Sequence, residues 1–356
     1  MLLTSIMAFN LVACGGKAPT DSKTAQSSSE PTNNVASNED VKGETKTSGS
    51  LTLYTSHKED VFSPIVKEFQ ERTGIQVDIV SAGTGEILKR IEAEAQSGNP
   101  LGDVMFGGGV ESLEAYKEYF EPYVTSEDAN IGDAFKAADN TWTGFSALPM
   151  VIMYNTKLVS ENEIPTSWAD VTDPKWKGKI AFTDPALSGS CFTTMVTMLT
   201  AYKDRNDGWD FIKEFVENLD GKLLKSSGDI YKGVADGEYS LGLTLEESAQ
   251  KYVVAGSDVG FIYPSEGTSA VPDGTAIIKG GANLENAKLF LDFTVSQDVQ
   301  NLIVSNMSRR AVRSDVAPAE GLEAIDSIKL VDYDIPAASA NKDQIMARWK
   351  DILVGR

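Results

Sequence analysis

The sequence predicts an α/β protein of two lobes joined by crossing strands, and three observations carry that expectation. Residues 51 to 109 alternate strand and helix patterns in the order βαβαβ, which demands a parallel sheet with helices on its faces. A long strand pattern from Trp142 to Tyr154, broken by Pro149, then leads out of that unit into a second α/β run, Lys179 to about Ile262. The chain has 356 residues, 41% hydrophobic and 24% charged, an ordinary globular composition long enough for two cores.

Leu51 to Ser56 alternates as a strand, and Phe62, Ile65, Val66 and Phe69 recur at helical spacing until Gly74 supplies a stop. Gln76 to Ser81 is the second strand, and Ile87, Leu88, Ile91 and Ala95 mark the inward face of a second helix. Asp103 to Phe106 is a third strand, ending in a turn at Gly107-Gly108-Gly109. In such sheets ligands bind beyond the carboxyl ends of the strands. That places Thr55, Ser56 and His57, then Ser81 to Gly85, then the Gly107 turn, at the mouth of a site. The second crossing is expected near Tyr263 to Asp273, after which Ala276 to Ile278 and helices from Leu284 rejoin the first unit. The expected division is lobe 1 at 50–147, lobe 2 at 148–262, a return to lobe 1 at 263–312, and C-terminal helices packing on the lobes at 313–356. One chain that builds a unit, crosses and returns is the plan of a hinged clamshell.

The first fifty residues differ in kind. Met1 to Ala13 is short and apolar and ends in Leu11-Val12-Ala13-Cys14-Gly15-Gly16, which resembles a bacterial lipobox. The resemblance implies a signal peptide at 1–13, cleavage before Cys14, a lipid on the Cys14 thiol, and an extracytoplasmic protein anchored to the bacterial cell membrane. Residues 14–49 are rich in Ser, Thr, Asn, Glu and Lys and cannot bury enough apolar surface to fold, so they read as a tether. No later apolar run approaches the length of a spanning helix, so the body is expected to be soluble.

Lys plus Arg number 32 against 52 Asp plus Glu, a formal charge of −20, which argues against nucleic acid as a partner. Only Cys14 and Cys191 are present, so there is no disulfide framework. His57 is the single histidine. No activated nucleophile or Gly-x-Ser-x-Gly pattern accompanies it, and the chain is not expected to be an enzyme.

Several stretches together resemble the type 2 extracellular solute-binding proteins of ABC importers, in the group of ferric-ion, organophosphate, phosphonate and thiamine binders. They are Leu51 to Lys58, Phe69 to Val77, Pro165 to Asp170, Asp173 to Ile180, Gly233 to Tyr239 and Arg309 to Arg313. The resemblance implies a type 2 periplasmic-binding-protein clamshell with two hinge-crossing strands. It also implies a monomer without cofactor that captures a solute and delivers it to a permease and its ATPase.

Ferric-ion binders of that group ligate iron through a histidine at the place of His57 and a tandem tyrosine pair. Here the pair is replaced by Glu246 and Glu247, open to three readings: carboxylate ligands to iron together with His57, acceptors for sugar hydroxyls or an amine, or a solvated first helical turn. Ser188, Gly189 and Ser190 precede an apolar helical run, Phe192 to Leu199. Amides there suit an anion as well as they suit plain capping. Ser81, Thr84 and Gly85 offer the same chemistry from the other lobe. The favoured expectation is a small anionic solute, a hexose phosphate, phosphonate or related organophosphate, contacted by Thr55, Ser56, His57, Ser81, Thr84, Gly85, Ser188, Gly189, Ser190, Glu246 and Glu247. Cys191, Trp168, Trp176 and Trp209 read as core, and Trp142 alone is near enough to the expected hinge to face the cleft.

Overall fold

In the computed structural model, which describes residues 49–355, the first strand, β1 (Ser50–Thr55), turns Leu51 and Leu53 into one apolar cluster and Tyr54 into another. A strand covered on both faces is what a parallel sheet requires. It pairs in parallel with β2 (Gln76–Ser81) and β3 (Val104–Gly109). β4 (Phe120–Glu121), β5 (Thr143–Ala147) and β10 (Pro272–Ile278) complete the sheet, β10 running antiparallel to β3, β4 and β5. Between the parallel strands lie α1 (Glu59–Thr73), closed by Gly74 at φ 77°, and α2 (Thr84–Gln96). The expected turn at Gly107 to Gly109 is not a turn. β3 runs through those glycines and passes directly into α3 (Val110–Ala115).

β5 reaches the second sheet through Leu148 and Pro149, which leads into β6 (Met150–Asn155). The remaining strands are β7 (Ile180–Ala181), β8 (Leu241–Leu245) and β9 (Val259–Ile262), in the order β7-β8-β6-β9. Its helices are α4 (Gly189–Ala201), α5 (Trp209–Asn218), α6 (Ser227–Ala235) and α7 (Glu246–Val254). Trp168, Phe182, Phe211 and Phe215 are fully buried in its core. Cys191 and Trp176 are buried there too, while Trp142 packs in the first lobe with Nε1 donating to Glu114 at 3.0 Å. Both sheets belong to one compact unit, and this is the two-lobed fold that the sequence predicts.

After β10, α8 (Leu284–Thr294) and α9 (Gln297–Met307) cover the first sheet, with Phe290 wedged edge-on between Phe69 and Phe106. The final segment is helical only in part. Residues 313–334 carry a single 3-10 turn, Ile325–Ser327, and the α-helices are α10 (Ile335–Ala340) and α11 (Lys342–Val354). Pro318 and Gly321 interrupt the earlier stretch. Ile335 of α10 packs on the first lobe's core, whereas Trp349 of α11 is buried in the second, its Nε1 donating to Asp184 at 3.1 Å. Among the described residues no helix is long and apolar enough to cross a membrane. The expected signal peptide, Cys14 and the expected tether, apart from Gly49, lie outside the described residues.

Phe290→Ala removes a fully buried ring shared by two aromatic contacts. It is expected to cost about 3–5 kcal/mol in urea unfolding; a loss below about 1 kcal/mol would show that the helices cover the sheet without this anchor.

Candidate functional site

Two cavities are lined by residues of both lobes. The larger, of about 590 Å³, is bounded by Thr84, Gly85, Gly109 and Glu111 from the first lobe, by Ser188 to Ser190 and Thr193 from the second, and by Lys342 of α11. The smaller, of about 340 Å³, is lined by Ser56, His57 and Asp60 on one side, Glu247 and Lys251 on the other, and Arg309. A roomier groove of about 800 Å³ lies away from the strand ends, between α5 and α11. There Lys177, Lys213 and Arg348 mingle with Glu217, Asp220 and Asp351, and no single charge is selected.

At the end of β1, Thr55 is spent on the backbone. Its hydroxyl donates to Phe106 O at 2.8 Å and accepts from His57 N at 3.2 Å. That turn drives the His57 ring inward, edge-on to Phe106 with centroids 4.6 Å apart and tilted against Phe145 at 5.6 Å. Its Nε2 lies 3.6 Å from Asp273 Oδ2 and has no hydrogen-bond partner among the described residues. Burial dominates the titration and pushes the imidazole down to about 4, against the pull of Asp273. Gly107, at φ 100°, makes the packing possible: a Cβ there would sit 2.8 Å from the imidazole. Its neighbour Gly108 would carry a Cβ 2.8 Å from Thr84 Cγ2. The glycines therefore bring the β3 backbone against His57 and Thr84 rather than turning the chain.

The larger cavity gathers Thr84 and Gly85 with Ser188, Gly189 and Ser190. Thr84 and Gly85 open α2, and Gly189 and Ser190 open α4. First-turn amides have no intrahelical acceptor, and each helix adds the positive end of its dipole. The Ser188 hydroxyl is itself the cap of α4, accepting from Cys191 N at 3.3 Å and lying 3.1 Å from Ser190 Oγ. At Gly85 and Gly189 a Cβ would meet nothing, so both backbones face open space. Ser81 stays in β2, exposed and paired with Thr55, and lines neither cavity.

The tandem glutamates part company. Glu246 also lines neither cavity. It is buried at the start of α7, where Arg310 Nε lies 2.7 and 2.9 Å from its two oxygens, Tyr263 donates to it, and its backbone N–H donates to Pro149 O at 2.9 Å. A solvated first turn is thus ruled out for Glu246. Glu247 does line the smaller cavity, with Oε2 2.7 Å from Arg309 Nε but not aligned for a hydrogen bond. Arg309 also donates to Ser146 Oγ at 2.8 Å and to Asp273. Burial works against the Arg309 charge and in favour of a neutral Asp273. Their mutual attraction wins, holding Asp273 below the usual carboxylate range and Arg309 above its ordinary value.

Sequence reasoning missed Arg309, Arg310 and Asp273, although the tandem arginines mirror the tandem glutamates. It also missed Glu111, whose Oε1 accepts from Thr193 Oγ1 and Tyr333 OH, each at 2.8 Å. Its place just after the glycine run was the available signal. Among the described residues no group of three or more His, Cys, Asp and Glu could hold a metal ion.

A family model described as bacterial extracellular solute-binding protein matches residues 103–335. The chain is 27% identical over 320 residues to iron uptake protein A1 of Synechocystis, covering 84% of this chain and 87% of the relative. It is 24% identical over 302 residues to a putative 2-aminoethylphosphonate-binding periplasmic protein of Salmonella typhimurium, covering 80% and 85%. Among solved structures it is similar to the periplasmic binding protein AfuA from Actinobacillus pleuropneumoniae with fructose-6-phosphate bound, with TM-score 0.76, 25% identity, and coverage of 86% of this chain and 98% of that one.

Two outcomes follow from the buried charges. His57 is neutral when folded and titrates near 6.5 when unfolded, so the unfolded chain takes the proton first as pH falls; stability is full above about 6.5 and lost towards about 4. The loss is about 3 kcal/mol, read by urea unfolding across that range, and His57→Gln should flatten the slope. Arg310→Met strands Glu246 without its counter-charge and should cost about 3–5 kcal/mol at pH 7 in the same assay.

Proposed function

This chain belongs to the bacterial extracellular solute-binding protein family, and from that membership we propose that it captures a small phosphate ester or phosphonate in the larger cavity. It delivers that solute to an ABC permease and its ATPase, acting as a monomer held at the membrane through Cys14. The observation that carries the anion is the meeting of two helix N-termini, α2 from one lobe and α4 from the other, on one cavity. Each supplies oriented amides and hydroxyls, and hydrogen bonds to a charged group are worth about 1.5–3 kcal/mol apiece. A ligand seated there draws the lobes together, because its donors come from both. The net charge of −20 slows long-range approach of an anion but leaves these local donors intact.

Ferric iron fits the donors less well. Glu246 is committed to Arg310 and Tyr263, Glu247 faces Arg309, and His57 is held among Phe106, Phe145 and Asp273. A hard trivalent cation needs anionic oxygens that are free to bind it.

Calorimetric titration of the purified full chain with fructose 6-phosphate, glucose 6-phosphate, 2-aminoethylphosphonate and inorganic phosphate tests the reading. Saturable binding of at least one is expected. Ser190→Asp should weaken it about 10- to 100-fold, since the new carboxylate occupies the anion's place while remaining favourable to the first turn of α4. If no phosphoryl compound binds, or if ferric citrate alone does, the anion cavity is the wrong reading.

A further inference from the structure

Within the larger cavity two opposite charges are kept apart. Glu111 is buried, 4% exposed, and its Oε1 is served by the neutral hydroxyls of Thr193 and Tyr333. Burial and the adjacent Glu111 charge both raise the Tyr333 hydroxyl well above its ordinary range, so it remains a donor. Oε2 receives no hydrogen bond from the described residues, and no ion pair neutralises the group among them. The cation on the same lining, Lys342, instead rests over the Phe192 ring at 5.2 Å. The other acid on the lining, Asp343, is exposed. A buried carboxylate without a counter-charge is costly to keep, and a cavity that also holds a lysine and two helix N-termini keeps this one unneutralised.

We propose that Glu111 is a specificity-determining residue that receives a primary ammonium group of the ligand, so that the cavity selects zwitterionic phosphoryl compounds with an amine at one end and the phosphoryl group at the other. This rests on the anion reading above. The helix ends and Lys342 hold the phosphoryl oxygens, and Glu111 Oε2 takes the ammonium. Thr193 on α4, Tyr333 before α10 and Glu111 on α3 come from different parts of the chain, so the carboxylate is fixed in direction before the ligand arrives. A hydroxyl in place of the amine could donate to Oε2 but would leave the charge uncompensated.

The test is a matched comparison on the purified full chain: 2-aminoethylphosphonate against 2-hydroxyethylphosphonate, and glucosamine 6-phosphate against glucose 6-phosphate, by calorimetry. In at least one pair the amine should bind about 10- to 100-fold more tightly. Glu111→Gln should bring that ratio to within about threefold of unity, while Glu111→Asp keeps a preference. Equal affinity within both pairs overturns the ammonium assignment and leaves the anion reading standing, as does an amine preference that survives in Glu111→Gln. Failure of all four compounds to bind overturns both. Should Glu111→Gln not fold, the comparison within each pair on the unaltered chain still decides.

Discussion

The two lobes are held to each other by a doubled exchange of charge, Glu246 with Arg310 and Glu247 with Arg309. Adjacent acids at the head of α7 in one lobe face adjacent bases just beyond α9 in the other. The consequence is topological as much as energetic. Glu246 touches each segment that passes between the lobes: Pro149 on the way out, Tyr263 on the way back, and Arg310 where the returned chain turns toward the C terminus. Charges buried this deeply are tolerated only while their partners stay in place, so the crossing strands, the start of α7 and the arginine turn hold one geometry.

That commitment separates two tasks. The acids that by sequence could have read a ligand are largely consumed in joining the lobes, and Asp273 with Ser146 extends the same network under His57. On the proposed reading, recognition falls to the other cavity, where the donors are mainly backbone amides at helix ends, which carry no side-chain entropy to lose. Within that cavity Thr193 bridges the lobes: it sits on α4 beside the amides and donates to Glu111 on α3.

Much of the architecture was legible because it rests on local pattern. The alternation of Leu51 and Leu53, the helical spacing of Ile65 and Phe69, Gly74 as a stop, and Pro149 dividing β5 from β6 each follow from periodicity or from a missing N–H. So was the capping serine at α4. What escaped was set by distance along the chain. Glu246 and Arg310 are 64 residues apart, and no local signal distinguishes a carboxylate that will meet an arginine from one that will meet water. Gly107 and Gly108 were misread for a related reason. Three consecutive glycines suggest a turn, whereas here they are small to admit His57 and Thr84 from neighbouring segments. The share of the C-terminal segment in the cavity, through Lys342 on its lining and Tyr333 behind Glu111, depends on how α10 and α11 lie across both lobes.

The return of the chain through β10 also sets an order of assembly. The second lobe is contiguous and has all its strands by Ile262, while the first lacks the strand that joins β3 to β4 and β5 until Pro272–Ile278 has been made. During synthesis, then, the edge of β3 waits through more than a hundred and fifty residues with its hydrogen-bonding groups unpaired, the kind of exposed strand edge on which unfinished chains associate. The sheet begun first in translation is the last to be completed.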